Sequence, residues 1–410
     1  MKNPLFDERM YEIVREFQDR LTAFDAELRL APLNAMQIQQ KYWLGVLTYI
    51  NDFMVPFWIS LKAFLNTEKD KVKKISAIDT ILDYLELFQF NLQIAEKGLQ
   101  GTANNMKDFA VNETIQGMIA WINTIFNRKG VALNEYTANL AKLMQLIVFG
   151  YPQAIKAVET EFGFHFDRKG YVKKAETDRF ILYQVLPNQK GIRTQKNGKP
   201  IIIIPPYVLG ANILAFLPSE NKSYVHAFAN QGIPTYVRIM KKIEDTPAVQ
   251  VMTGEDDARD TRIFCEKLKA TYNKPVTLNG FCQGGFIAVL DILSGELDGL
   301  VDALITCVAP MDGTRSISLT EYLQHLPERF RDLGYATKIL PNGNRIVDGK
   351  VMSWVYKLKS MEKEAPLVAL YRDLMTLGGP DSKEVHVSKT AAALNHWIIY
   401  DRNDLPENIT

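Results

Sequence analysis

The residues with the clearest chemical potential are Gly280-Phe281-Cys282-Gln283-Gly284. A nucleophile with a glycine two residues to either side lets a chain turn sharply from a strand into a helix and leaves the reactive atom at the apex. The flanks fit. Val276-Thr277-Leu278-Asn279 has strand composition, and Phe286 to Leu293 is an apolar run of helical length stopped by Ser294-Gly295. A thiol at the apex would attack an activated carbonyl and hold the acyl group as a thioester. That chemistry favours acyl transfer over ordinary ester hydrolysis. The same residues also suit a buried cysteine in a glycine-rich turn, where small side chains serve packing alone.

A turn of this kind needs a sheet beneath it. Phe180 to Leu186 has strand composition, and Ile201-Ile202-Ile203-Ile204, bounded by Pro200 and Pro205-Pro206, reads as a strand buried on both faces. Gly232 to Ile239 and Ala303 to Val308 are further strands, with helices predicted at Lys222 to Asn230 and Asp256 to Tyr272. This alternation predicts an α/β class with a doubly wound sheet. Residues 313 to 410 read as mostly helical and polar, with turns at Pro341-Asn342-Gly343 and Gly378-Gly379-Pro380, and so as a cap or insertion over the sheet.

Residues 1 to 165 carry helical periodicity. Leu82, Leu85, Phe88 and Leu92 recur at three- and four-residue spacing, with Asp79 as the expected N-cap and Gly98 as the expected stop. Trp43 to Leu65 is aromatic-rich and long enough to span a membrane. Asn51-Asp52 and Pro56 interrupt it, so a buried or amphipathic helix pair is expected rather than a transmembrane span, with a surface that docks on lipid-like or polymer material as the alternative. The helical half reads as a bundle packed on the rest of the chain or as an oligomerisation or surface-docking module. Three parts follow: an all-α domain over 1–165, a sheet core over 166–312 and a helical cap over 313–410.

Composition narrows the class. The chain has 410 residues, 47% hydrophobic and 23% charged, with a net charge of +1, which carries no footprint for nucleic acid. Cys265, Cys282 and Cys307 are too few for a disulfide framework, and no pair has metal-ligand spacing. A reducing, cytoplasmic compartment fits, and the first residues lack the apolar core of a signal peptide.

Strand, Pro-Pro-aromatic, elbow with Cys-x-Gly-Gly and helical cap together resemble the polyhydroxyalkanoate synthases of the α/β-hydrolase superfamily. The matching segments are Ile201 to Tyr207, Asn212 to Phe216, Gly232 to Val237, Asn279 to Gly285, and the looser Trp397 to Pro406. The resemblance covers roughly residues 175 to 410. It implies an α/β-hydrolase-like, mostly parallel sheet. It implies joining of (R)-3-hydroxyacyl groups from coenzyme A thioesters into a polyester, with Cys282 as acylated nucleophile and no bound cofactor. Partners would be the 3-hydroxyacyl-CoA, the polyester granule surface and other copies of the chain. In elbow geometry the oxyanion donors are the backbone N–H of Gln283 and one just past Pro205-Pro206, at Tyr207 or Val208, with Gly280 and Gly284 keeping the turn narrow.

The resemblance also implies an acid and a base, as Asp then His on later strands, and no matching segment occurs here. Among His165, His226, His325, His386 and His396, the last two follow the elbow and have Asp401 and Asp404 nearby. Asp312, at the end of a strand, is a candidate acid but suits turn-capping better. After Tyr236 the family has an aromatic and Asn-Pro, whereas this chain has Arg238-Ile239-Met240. A synthase lacking a C-terminal piece of the order of 100 residues, a non-catalytic relative that binds granules or partners, a site completed by another chain, and a thioesterase- or depolymerase-type hydrolase are the readings that follow.

Overall fold

The computed structural model describes residues 8–378 and 387–410. Its main sheet contains β1 (Tyr171–Glu176), β2 (Phe180–Val185), β3 (Ile201–Ile204), β4 (Thr235–Met240), β5 (Val276–Phe281) and β6 (Val301–Cys307), in the order β1-β2-β4-β3-β5-β6. β2 runs antiparallel to β1 and β4, and the other neighbours are parallel. This is an α/β-hydrolase-like fold, with a mostly parallel sheet and a helical N-terminal region. β1 carries little apolar patterning and has no clear strand signal in the sequence.

The four isoleucines of β3 divide between the two faces as strand geometry requires. Ile202 and Ile204 join Phe180, Leu182 and Leu278 in one core, and Ile201 and Ile203 join Val185 and Val237 in another. Parallel neighbours need crossovers. Helices α5 (Tyr224–Ala229), α6 (Pro247–Gln250), α7 (Gly254–Tyr272) and α8 (Gln283–Leu293) lie between the strands from β3 to β6. Ser223 caps α5, and Thr253 with Asp256 makes a capping box on α7. β6 is the last strand of the sheet, and Leu304 and Ile305 on it are exposed.

Beyond β6 the described chain is mostly helical, with a small sheet added that the sequence reading does not include. Helices α9 (Ile317–His325), α10 (Gly349–Leu358), α11 (Met361–Glu364), α12 (Pro366–Leu377) and α13 (Lys389–Tyr400) are present. So is a second, antiparallel sheet of β7 (Thr337–Ile339), β8 (Arg345–Val347) and β9 (Leu405–Pro406). Strands of two or three residues leave no periodic signal, and β9 finds its partner through distant pairing. The turn at Pro341-Asn342-Gly343 joins β7 to β8, with Gly343 at φ +87°. Gly379 and Pro380 of the second predicted turn lie outside the described residues.

The N-terminal helices are longer than the sequence signals indicate: α1 spans Glu8–Lys71 and α2 spans Ala77–Ile125, followed by α3 (Leu133–Gln145) and α4 (Tyr151–Ala157). The expected helix pair over Trp43 to Leu65 is one continuous stretch of α1. Pro56 removes a single backbone donor without ending the helix, and Trp43, Leu47, Trp58 and Leu65 are exposed rather than buried. Residues 32–74 are long and apolar enough to cross a membrane by length and composition. The cap of α2 is Ser76, whose hydroxyl accepts the Asp79 N–H, not Asp79 itself. Gly98 does not stop the helix. A Cβ there would sit 3.0 Å from Met361, and one at Gly101 only 2.2 Å from the Glu362 carbonyl oxygen, so close packing explains these glycines.

The chain forms two compact units. One comprises Met1–Met54, Ala95–Gln153 and Met361–Val387. Val46, Leu143, Met144, Ile147, Leu370, Tyr371 and Leu374 form its core. The other comprises Val55–Ile94, Ala154–Ser360 and Ser388–Thr410 and holds both sheets. In this second unit Arg329 pairs with Glu68 at 2.7 Å and Asp83 at 2.9 Å, beside the rings of Tyr84 and Phe330.

Candidate active site

Cys282 stands between β5 and α8 at φ +54° and ψ −126°. A side chain in the left-handed half of backbone space costs about 1–3 kcal/mol and persists only where the surroundings impose it. Here they do. The Cys282 N–H donates to the Cys307 carbonyl at 2.8 Å, and the Gly285 N–H donates to the Cys282 carbonyl at 2.9 Å. The glycines admit no side chain. A Cβ at Gly280 would lie 2.3 Å from Gly285 Cα, and one at Gly284 would lie 2.3 Å from the Ile204 carbonyl oxygen and 2.4 Å from that of Pro205. The first turn of α8 therefore rests against the end of β3 and presents a half-buried thiol.

The Pro205-Pro206-Tyr207-Val208 segment faces the same turn. The Val208 N–H donates to the side-chain oxygen of Gln283 at 3.3 Å. One expected oxyanion donor is thus occupied by the side chain of the residue whose backbone is the other. Residues near the C-terminus hold this segment in place. Asn403 donates through its backbone to the Val208 carbonyl and through its side chain to the Tyr207 carbonyl, each at 2.9 Å. The Trp397 indole donates to the Leu209 carbonyl at 2.8 Å, and Asn212 donates to Asp401 at 3.2 Å. The Trp397 to Pro406 stretch, loosely matched in sequence, is thus a brace for the loop after β3.

Behind the loop lies a buried network the sequence did not announce. The Tyr207 phenol donates to Asp257 and accepts from Arg238. Arg238 also donates to the other Asp257 oxygen at 2.6 Å and to the Thr261 hydroxyl. Thr261 in turn donates to Asp291 at 3.0 Å. Arg238 is fully buried, its guanidinium 4.2 Å from the centroid of the Phe180 ring. Burial, then the neighbouring Asp257 charge, raises Asp291 to about 8. The departure at Arg238 has a physical role, and its signal was an arginine inside an apolar strand ahead of paired aspartates on α7.

Tyr356 on α10 is a second unforeseen neighbour. Burial, and after it the charge of a Cys282 thiolate, raises its phenol above the usual range, and Lys359 stands 5.6 Å from the centroid of its ring. Cys307 bonds the Tyr224 hydroxyl at 3.1 Å, and Cys265 is buried in α7.

The described histidines all serve local structure. His165 bonds the Glu159 carbonyl, His226 the Ser223 hydroxyl, His325 the Glu321 carbonyl and His396 the Ile155 carbonyl. Among the described residues no hydrogen bond joins a histidine to Cys282; His386 lies outside them. Asp312 caps its own turn through Thr314 and pairs with Arg315. Asp404 accepts from Gly349 and pairs with Lys338. No group of three His, Cys, Asp or Glu among the described residues could hold a metal ion.

The strand order and the strained elbow define an α/β-hydrolase-like protein. No family model matches the chain, and no curated protein matches it. Among solved structures it is similar to brefeldin A esterase, a bacterial homologue of human hormone-sensitive lipase, at 15% identity over 53% of this chain and 63% of that one, with a TM-score of 0.28. Esterase B from Lactobacillus rhamnosis matches at 18% identity over 46% of this chain and 66% of that one, with a TM-score of 0.25. The chain thus spans just under two thirds of either esterase, and the fold assignment rests on the sheet itself.

Proposed function

We propose that this protein carries an acyl group on Cys282, taken from an acyl thioester. The observation behind this reading is a thiol held at a strained strand–helix apex beside the backbone N–H groups of Gln283 and Val208. The thiolate adds to the thioester carbonyl, the oxyanion binds those donors, and collapse expels the sulfur of the carrier as a thiolate. The bond formed matches the bond broken, so the acyl group stays activated. The resemblance to polyhydroxyalkanoate synthases supports an (R)-3-hydroxyacyl-CoA as substrate and a growing polyester as product, in a cytoplasmic, granule-associated setting. A hydrolase, in which water takes the acyl group, is the second reading, favoured by the half-exposed position of the thiol.

The second half-reaction needs a base for the incoming hydroxyl, worth roughly 10²–10⁴-fold, and no described histidine is bonded to the thiol. Incubation with 3-hydroxybutyryl-CoA is therefore expected to release one equivalent of coenzyme A per chain and then stall. Free thiol followed with a chromogenic disulfide, beside intact mass, reads this directly. Sustained release with free acid would establish the hydrolase, sustained release with polymer a complete synthase. No release and no adduct would overturn the acyl-transfer reading in favour of a binding protein.

The Gln283 side chain gives a prediction of definite sign. An incoming oxyanion must displace its oxygen from the Val208 N–H, a hydrogen bond worth about 1 kcal/mol net. Gln283→Ala is expected to speed acylation about five-fold, read from the rate of the mass shift. A slower variant would show that the amide assists the thioester instead of competing with it.

A further inference from the structure

One face of α2 is left without a partner in a pattern that specifies one. Ile78, Leu85 and Leu92 recur at seven-residue intervals, and Ile81 and Phe88 stand three residues after the first two. These five, with Leu82, are each more than half exposed. The opposite face is already engaged: Asp83 pairs with Arg329, Phe90 packs edge-on against Tyr322 at 5.2 Å, and Ile94 is buried. A surface helix needs only one apolar stripe to join its own core. A second stripe repeating every 3.5 residues is the seam of a two-stranded coiled coil, in which each such side chain enters a hole on a facing helix. The same interval continues in the sequence at Leu99 and Met106.

We propose that α2 pairs through this stripe with α2 of a second copy of the chain. Three observations select that occupant. From Ile78 to Leu92 the positions flanking the seam are Leu82, Tyr84, Gln89 and Asn91, none of them charged, so over this span two copies bring no like charges face to face; the first charged flanking residue is Glu96. Residues 77–96 contain Asp79, Asp83, Glu86 and Glu96 but no lysine or arginine, the reverse of the basic polar face that seats a helix on anionic lipid. The area is also adequate. Six side chains each able to bury on the order of 100 Å² supply about 600 Å² per copy, approaching the roughly 800 Å² per partner of a standard interface.

Sedimentation of the full chain over a wide concentration range tests this. The wild type is expected to be dimeric and Leu85→Glu/Leu92→Glu monomeric, with unchanged far-UV circular dichroism because both side chains are exposed. Mixing that variant with Leu85→Lys/Leu92→Lys is expected to restore the dimer. Should the glutamates melt α2, Leu85→Ala/Leu92→Ala is expected to shift the equilibrium toward monomer with the helix kept. A monomeric wild type, or a dimer unmoved by these variants, overturns the proposal. So does a stripe whose loss abolishes binding to polyester granules or phosphatidylcholine vesicles without altering the oligomeric state.

Discussion

Cys282→Ala is expected to reduce acyl-adduct formation to background while the protein remains folded, whereas Cys265→Ala and Cys307→Ala retain the adduct. The three thiols differ in what surrounds them. Burial pushes Cys265 up to about 12, so it is protonated near neutrality and out of reach of a thioester. Cys307 is tied to the Tyr224 hydroxyl, which also accepts from and donates to the amide of Asn279. Only Cys282 joins a half-exposed thiol to a backbone aimed by a helix start and a narrow glycine turn. Alanine fits that turn with the same strain, so the loss is chemical rather than structural. Intact mass after exposure to 3-hydroxybutyryl-CoA decides the matter: an adduct that survives in Cys282→Ala would remove Cys282 from the mechanism.

The second large effect is on stability. Asp257→Ala is expected to cost about 3–5 kcal/mol, the range for removing one partner of a buried ion pair. It strands the Arg238 cation in the core and leaves the Tyr207 phenol without its acceptor. The other nearby carboxyl, Asp291, is raised to about 8 by burial and then by the Asp257 charge. The urea midpoint should fall with little change in slope. Replacing both partners with apolar residues, Arg238→Met/Asp257→Leu, should recover much of the loss, since a buried pair is weak evidence for net stabilisation. A single variant that costs under about 1 kcal/mol would show that water reaches Arg238.

The elbow was legible because its requirement is local: a sharp turn excludes any Cβ at Gly280 and Gly284, and that exclusion is written as residue type. The buried sheet centre was legible in Ile201–Ile204 for a similar reason, since only a strand covered on both faces tolerates four consecutive isoleucines. The Arg238 network was not, because its members lie on β4, on α7 and α8, and in the loop after β3, and no spacing rule links them. Gly98 misled because a glycine inside a helix looks the same whether it ends the helix or admits a neighbour, here Met361. Asn403 gave no signal, since an asparagine that holds a distant loop by its carbonyls resembles one in any turn.

That last contact bears on how the protein is made. The thiol and the glycines of its turn are in the chain once residue 285 has been added, but the Val208 carbonyl has no partner, and the Tyr207 carbonyl only Gly210, until Asn403 arrives. At ribosomal rates of about 5–20 residues per second, the intervening chain takes roughly 6–24 s to synthesise. Through that interval a nascent chain exposes its cysteine while the loop that should receive the oxyanion is unbraced. Activity is thereby deferred until Asn403 has been added, and a ribosome stalled between Gly285 and Asn403 holds a protein that looks armed in sequence and is inert in shape.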